Sequence, residues 1–268
     1  MAVHLARRAG DLQLERRAGL TLHGAKAHAN DLVSDVDIAS EKLIVDGLRE
    51  VWPSDGLLGE EGVSEGGTSG RRWVIDPLDG TRNYVSGTGP WSVCIALQRG
   101  RTTEVAVVHD PVARETFTAV SGAGARLNGE PLSASSTLRL DEALVGVSFN
   151  PSPETKSLVG PMLSTIMPSI GDIRRLPAAL QLAYLAAGRF DAGLVVDTQL
   201  WDVAAGLLVA REAGVVLSGR GGMPTPAFTI GAAAGVRAEF SRLIESALAQ
   251  VSVVGPAGGG GAQAGPPE

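Results

Sequence analysis

Residues 73 to 84 of the 268-residue chain read WVIDPLDGTRNY, and this run constrains the fold and the chemistry more than any other. Its apolar first part, residues 73 to 75, predicts a strand that ends at an Asp-Pro turn. The Asp-Gly-Thr at 79 to 81 predicts the entry into a helix. The first turn of such a helix offers backbone N–H groups to an anion, and Asp76 and Asp79 can hold hard cations beside it. The run therefore predicts a site for metal ions and phosphate.

Chance does not explain this motif well, because five specified positions should recur in a chain of this length with a probability on the order of 10⁻⁴. The alternative interpretation is an ordinary turn in which aspartates cap backbone groups. Other acidic segments bear on the choice, although each is weak alone. Glu60 could lie in a solvated turn, and Asp37 and Asp202 could each cap a helix.

The order and spacing of these segments resemble the inositol monophosphatase family of magnesium-dependent, lithium-sensitive phosphatases. This family belongs to a wider group that includes fructose-1,6-bisphosphatases and bisphosphate nucleotidases. The resemblance covers roughly residues 2 to 247, and its specific segments are DLVSDVD (31–37), GEE (59–61), DPLDGTRNY (76–84) and WDVAAG (201–206). It implies an α+β fold, the layered αβαβα sugar-phosphatase fold, with metals at the junction of two lobes.

The resemblance also implies the metal ligands. One Mg²⁺ would be bound by Glu60, Asp76 and the backbone carbonyl of Leu78, and a second by Asp76, Asp79 and Asp202. Two to three ions are expected in all, with Mn²⁺ as a substitute. The residue types agree with this expectation, since a set of oxygen ligands without a Cys or His cluster selects hard cations over zinc.

The implied reaction is the hydrolysis of a phosphate monoester, in which a metal-activated water attacks phosphorus in line. Thr81 would orient or deprotonate this water, helped by Asp37. A threonine hydroxyl is a poor base at neutral pH, so charge neutralisation and positioning should supply most of the acceleration. The backbone N–H groups of Gly80 and Thr81 would hold phosphate oxygens. The substrate-binding residues implied in this way are Asp79, Gly80, Thr81, Ala178, Asp197 and Asp202.

Two departures from the family pattern concern the alcohol part of the substrate. The polar Gly-Ser/Thr-Ala stretch of the family corresponds to the apolar residues 176 to 178 here. The glutamate that binds a ring hydroxyl in inositol phosphatases corresponds to Val195, with Asp197 two residues later. Valine cannot accept a hydrogen bond. The expected substrate is therefore a small sugar or polyol phosphate, not specifically myo-inositol 1-phosphate.

Several other activities stay open. Histidinol phosphate and fructose 1,6-bisphosphate are alternative substrates, whereas Asn83 makes 3'-phosphoadenosine 5'-phosphate less favoured. A regulatory role in transcription through protein partners is the alternative of a different class. Arg174 and Arg175 could steer an anionic substrate, although such residues are more often surface charges.

Composition limits the partners. A net charge of −6 and a pI near 5.3 disfavour direct binding to nucleic acid or to an anionic membrane. The single Cys94, together with the lack of a signal peptide or an apolar run of 18 residues, predicts a cytoplasmic protein. Homodimers are expected, because they are common among members of the family.

The sequence predicts an N-terminal α+β lobe at 1–141, a C-terminal α/β lobe at 142–250 and a disordered Gly/Pro-rich tail at 251–268. A mobile loop is predicted at 64–72. Predicted helices are 2–18, 38–51, 154–166, 177–188, 202–213 and 237–250. Predicted strands are 73–76, 91–98, 103–109, 115–120, 144–149, 191–196 and 214–217.

Overall fold

The structure is a computed structural model that describes residues 1–17, 22–25 and 32–253. The α-helices of these ranges are α1 (Ala2–Arg16), α2 (Asp35–Val51), α3 (Thr81–Ser86), α4 (Pro153–Ile166), α5 (Ala178–Ala186), α6 (Leu200–Glu212) and α7 (Arg237–Val253). The strands are β1 (Leu22–Ala25), β2 (Leu32–Ser34), β3 (Gly56–Gly59), β4 (Ser64–Glu65), β5 (Arg71–Asp79), β6 (Ser92–Arg99), β7 (Thr102–Asp110), β8 (Glu115–Val120), β9 (Ala125–Leu127), β10 (Glu130–Pro131), β11 (Leu144–Phe149), β12 (Asp172–Arg175), β13 (Ala192–Val196), β14 (Val216–Ser218) and β15 (Phe228–Ala232).

Two large sheets alternate with pairs of helices. The first sheet has the strand order β10-β9-β8-β7-β6-β5-β3-β4, and the second has the order β12-β11-β13-β15-β14. Buried side chains of α1 and α2 pack on one face of the first sheet, and α5 and α6 pack on its other face. Helices α5 and α6 also contact the second sheet, whose far face is covered by α4 and α7. These five layers confirm the predicted αβαβα fold.

The side-chain alternation of β5 decides which way the aspartate motif faces. Trp73 and Ile75 pack toward α1 and α2, while Val74 packs toward α5 and α6. Side chains two residues apart lie on the same face of a strand. Asp76 therefore follows Val74 toward the middle helical layer, where α6 begins.

A buried glutamine, Gln13 of α1, fixes the turn that carries the motif. Its Nε2 donates to the carbonyl oxygen of Pro77 at 2.7 Å and to Ser40 Oγ at 3.2 Å. Its Oε1 accepts a hydrogen bond from Trp91 Nε1 at 2.9 Å. The hydroxyl of Tyr84 donates to the backbone carbonyl of Gln13 at 2.8 Å. One side chain therefore ties α1, α2 and the Asp-Pro turn together.

Several boundaries differ from the sequence prediction. Helix α2 begins at Asp35 instead of residue 38, because Ser34 caps it. Helix α6 begins at Leu200, so Asp202 is its third residue and not its N-cap. The predicted loop at 64–72 contains β4 and the start of β5, because this segment pairs with β3 and β6. Strands that were not predicted are β1, β2, β3, β4, β9, β10, β12 and β15.

The C-terminal prediction was partly wrong. Helix α7 continues to Val253, so residues 251–253 belong to a helix and not to a disordered tail. Residues 254–268 lie outside the described ranges. The division into lobes at 141/142 stays a prediction. Among the described residues, no helix is both long and apolar enough to span a membrane.

We expect Gln13→Ala to lower the free energy of unfolding by about 2–4 kcal/mol, because it leaves the Pro77 carbonyl and the Trp91 indole N–H buried without their partner. Urea denaturation followed by tryptophan fluorescence would measure the change. Gln250→Ala is the matched control, since Gln250 is exposed and its Oε1 only accepts a bond from Thr165. Equal losses for both variants would contradict the structural role of Gln13.

Candidate active site

A cavity of about 400 Å³ opens where the two sheets and α6 meet. Its wall comes from the aspartate motif, from the residues that follow β11 and β13, and from the first turn of α6. The structure brings these sequence-predicted residues to it: Glu60, Asp76, Leu78, Asp79, Gly80, Thr81, Ala178, Asp197 and Asp202. Asp37 does not line the cavity, but it contacts Thr81 from behind.

Three carboxylates form the acidic centre of the cavity. Oxygen atoms of Glu60, Asp76 and Asp202 all lie within 4.8 Å of one another. Glu60 follows β3, which runs parallel to β5, so the end of one strand places it beside Asp76 on the next. Asp202 is held in the first turn of α6, where its Oδ2 accepts a hydrogen bond from the backbone N–H of Gln199 at 2.8 Å.

Asp76 is the most buried member of this cluster, and this position makes the ionised form of its carboxylate unfavourable. Burial raises its pKa well above the usual range, and the nearby charges of Glu60, Asp79 and Asp202 raise the pKa further. Its Oδ1 accepts one backbone hydrogen bond, from Leu78 N–H at 2.9 Å. The ionised form therefore needs a cation for compensation.

Asp79 lies outside the cluster of Glu60, Asp76 and Asp202, and hydrogen bonds from other residues hold its carboxylate. Its Oδ2 accepts a hydrogen bond from Ala179 N–H at 2.8 Å, at the start of α5, and lies 3.5 Å from Ser92 Oγ. Burial raises the pKa of Asp79 to about 7, while the Ala179 amide opposes this rise. The N-terminus of α5 thus stabilises one oxygen of this carboxylate.

The donor set fits a hard divalent cation. All three members of the cluster are carboxylates, and their like charges repel one another around the buried Asp76. A divalent cation between them would replace repulsion with attraction, and oxygen ligands suit Mg²⁺ or Mn²⁺. The arrangement can hold a metal beside a phosphate-sized space.

The hydroxyl of Thr81 belongs to a chain of hydrogen bonds that continues through Asp37 to Ser34. Its Oγ1 lies 3.0 Å from Asp37 Oδ1 and 3.2 Å from the carbonyl oxygen of Leu78. The other oxygen of Asp37 accepts a bond from Ser34 N–H at 3.0 Å and a short one from the Ser34 hydroxyl. Asp37 is thus a capping residue of α2 and also a hydrogen-bond partner of Thr81. Burial is the main cause that raises the pKa of Asp37.

Gly80 is required by its surroundings. Its φ is +102°, which L side chains rarely adopt, and a Cβ there would lie 2.7 Å from Cγ of Pro177. This contact brings the start of α3 against the start of α5. The motif therefore joins the first sheet to the middle helical layer.

Comparison with known proteins agrees with this geometry. A profile of the inositol monophosphatase family matches residues 1–252. The chain belongs to this family. Nus factor SuhB of Pasteurella multocida is 39% identical over 221 residues, which are 80% of this chain and 82% of that protein.

Solved structures of the inositol monophosphatase family share the fold. Thermotoga maritima IMPase has a TM-score of 0.84 at 29% identity, with 93% of this chain and 97% of that chain covered. Staphylococcal IMPase-II with inositol monophosphate bound has a TM-score of 0.76 at 25% identity, with 94% of this chain and 95% of that chain covered.

Some residues that line the cavity were not assigned to the site from the sequence, namely Phe149, Asn150, Thr198 and Gln199. Of the two arginines considered for steering an anionic substrate, Arg175 lines the cavity and Arg174 does not. Most of them follow β11 or β13, and a prediction that these strands run parallel would have found them. Arg175 ends β12, a strand with no clear apolar pattern, so its position carried no such signal.

The structure also places Val195 and Asp197, where the sequence departs from the family pattern for the alcohol part of the substrate. Val195 of β13 is buried against the middle helices, α5 and α6, and does not line the cavity. Asp197 does line it, with an unusual φ of +54°. The hydroxyl of Thr155 donates a short hydrogen bond to Asp197 Oδ2. The aspartate, and not the valine, therefore lines the cavity.

We expect Asp76→Asn to abolish stabilisation by Mg²⁺ while leaving the metal-free protein at least as stable as the wild type. The asparagine keeps an oxygen that can accept from Leu78 N–H and removes one of the mutually repelling charges. In the wild type, Mg²⁺ at about 100 times its Kd should raise the Tm by about 5 to 10 °C.

Thermal unfolding in EDTA and in MgCl₂ would measure both effects. Asp46→Asn is the control, because Asp46 is exposed and pairs only with Lys42 and Arg49. An unchanged Mg²⁺ response in Asp76→Asn would contradict the metal assignment.

Proposed function

We propose that this protein is a Mg²⁺-dependent phosphatase that hydrolyses small sugar or polyol phosphate monoesters. The observation that carries the proposal is the close cluster of Glu60, Asp76 and Asp202 beside the Thr81–Asp37 pair. Membership of the inositol monophosphatase family supports it. The inositol monophosphate bound to staphylococcal IMPase-II supports the substrate class.

The metal would be held by Glu60, Asp76, Asp79, Asp202 and the carbonyl oxygen of Leu78. Two to three ions are expected, with Mn²⁺ as a substitute, and Li⁺ is expected to inhibit. Bound Mg²⁺ supplies charge neutralisation for the phosphate and lowers the pKa of water.

Thr81 and Asp37 would orient the attacking water and accept its proton. A Thr81 hydroxyl that donates to Asp37 Oδ1 presents its lone pairs to the water and accepts one of its protons. The buried position of Asp37 raises the pKa of its carboxylate, which favours partial transfer of the threonine proton toward it. The Ser34 hydroxyl and N–H hold Asp37 in this orientation.

The remaining contacts with the substrate would come from other residues that line the cavity. Backbone N–H groups of Gly80 and Thr81 would bind phosphate oxygens, and Ala178 and Asp197 would contact the alcohol part. Because Val195 is buried, the inositol-type hydroxyl contact at that position is lost. Histidinol phosphate and fructose 1,6-bisphosphate are the main alternative substrates, and 3'-phosphoadenosine 5'-phosphate is less favoured.

A second candidate role is protein binding in transcription, since the Pasteurella multocida relative is named Nus factor SuhB. The two roles do not exclude each other. A cellular phenotype that survives loss of a carboxylate of the acidic cluster would favour the binding role. We also expect a homodimer, which size-exclusion chromatography with light scattering would test.

We expect Asp202→Asn to lower kcat by at least about 10²-fold with the fold intact, because it removes a metal-binding charge but keeps an acceptor for Gln199 N–H. Phosphate release from a panel of esters, with Mg²⁺ titrated and Li⁺ added, would measure this. Circular dichroism would check the fold. Near-normal turnover at saturating Mg²⁺ would contradict the proposal.

We expect Thr81→Val to lower kcat by about 10²- to 10⁴-fold, because valine has the shape of threonine without the hydroxyl that lies beside Asp37. Thr81→Ser, which keeps the hydroxyl, should stay within about tenfold of the wild type. Similar activities for the two variants would exclude a role for the Thr81 hydroxyl in the reaction.

A further inference from the structure

The second sheet presents a set of side chains at one edge of the cavity. Strand β11 runs parallel to both of its neighbours, β12 and β13. The carboxyl ends of parallel strands meet at the same sheet edge. Here they carry Arg175 at the end of β12, Phe149 at the end of β11 and Asp197 directly after β13. All three residues line the cavity.

The order of these strands marks this edge as a binding position. The chain passes from β11 to β12 on one side and then returns to β13 on the other side of β11. Open α/β sheets bind ligands outside the carboxyl ends of the strands at such a reversal. Asn150 and Thr198, which follow β11 and β13, also line the cavity there.

Arg175 is fixed in place at this edge. Its Nη2 donates to the carbonyl oxygen of Phe149 at 3.1 Å, and its guanidinium carbon lies 4.4 Å from the centre of the Phe149 ring. The hydrogen bond and the cation–π contact hold the guanidinium without neutralising its charge. Desolvation lowers the pKa of Arg175.

The neighbouring Arg174 differs from Arg175 in having a carboxylate partner. Arg174 Nη1 pairs with Asp172 Oδ2 at 2.6 Å. Arg175 has no carboxylate partner among the described residues, whereas Arg174 does. Arg175 is exposed to solvent at the edge of the cavity. An arginine held there without a carboxylate partner is suited to a carboxylate or phosphate of a ligand, because its planar donors match their oxygens.

The chain segment that follows Arg175, residues 176 to 179, offers few hydrogen-bond donors to a ligand. Pro177 has no N–H to donate, and its ring packs against Gly80. The Ala179 N–H is already used by Asp79. The cavity therefore has an acidic end at Glu60, Asp76 and Asp202 and a cationic edge at Arg175. Arg82, which follows Thr81, is a second arginine of the lining, and uncharged polar residues line the space as well.

We infer that Arg175 determines specificity by binding a second anionic group, a phosphate or a carboxylate, on the part of the substrate away from the scissile phosphate. This inference rests on the proposed phosphatase function. It narrows the substrate class from phosphate monoesters in general to sugar or polyol phosphates with two anionic groups. Asp197 would accept a hydroxyl of the same substrate at the adjacent strand end.

The test compares matched pairs of esters that differ by one anionic group. Fructose 1,6-bisphosphate is compared with fructose 1-phosphate, and 2-phosphoglycerate with glycerol 2-phosphate, so that the two pairs distinguish a phosphate from a carboxylate. The wild type should show a higher kcat/KM for the two-anion member of at least one pair.

Arg175→Gln should lower kcat/KM for that member by about 10- to 100-fold, mainly through KM, and change the one-anion ester less than threefold. Arg175→Lys should recover part of the loss, because it restores the charge without the planar donors. Arg174→Gln is the matched control and should leave both esters unchanged. Thermal unfolding of each variant would verify that it is folded.

Equal losses for both members of the pair, or no loss in Arg175→Gln, would overturn the inference. So would a wild type that hydrolyses one-anion esters with Mg²⁺ but does not prefer either two-anion partner, and in that case the phosphatase proposal stands. A wild type that hydrolyses none of the four esters with Mg²⁺ would overturn the inference. If it also hydrolyses no other ester of the panel, histidinol phosphate included, the phosphatase proposal falls as well.

Discussion

Repulsion between three closely spaced carboxylates, of which Asp76 is buried, is the constraint around which the structure is arranged. Glu60, Asp76 and Asp202 come from distant parts of the chain, yet their oxygens lie within 4.8 Å of one another. Burial and neighbouring charge raise the pKa of Asp76, so this arrangement opposes folding when the groups are ionised and no cation is bound. The free energy that holds them together has to come from the surrounding layers.

Those layers meet at the aspartate motif. Gln13 holds the Pro77 carbonyl from the side of α1, and the Ala179 N–H holds Asp79 from the side of α5. The contact between Gly80 and Pro177 brings α3 against the same helix start. The motif is therefore supported from both helical layers that cover the first sheet. Small shifts of either layer would move the carboxylates.

The cavity combines this acidic centre with an edge of the second sheet. The first sheet supplies most of the acidic groups, and the parallel strands β11, β12 and β13 supply Phe149, Arg175 and Asp197. Family membership accounts for the first part. The second part includes Asp197, which follows Val195, one of the two departures from the family pattern, by two residues. It is also where the inferred specificity of Arg175 would act.

The sequence by itself determined the local chemistry of this protein. The run from 76 to 81 specified a strand end, a turn and a helix start because Pro, Gly and β-branched residues restrict the backbone locally, and the helices followed from their apolar periodicity. Short strands such as β3 and β12 were missed, since pairing with neighbours distant in the chain forms them and four residues carry little pattern. Only the tertiary structure decided that Gln13 supports the Pro77 turn and that Asp197 and not Val195 lines the cavity. It also decided that Arg174 pairs with Asp172, while Arg175 has no carboxylate partner in the part of the chain that the structure describes. These outcomes depend on which elements pack together, and packing is fixed by contacts that no local segment of sequence contains.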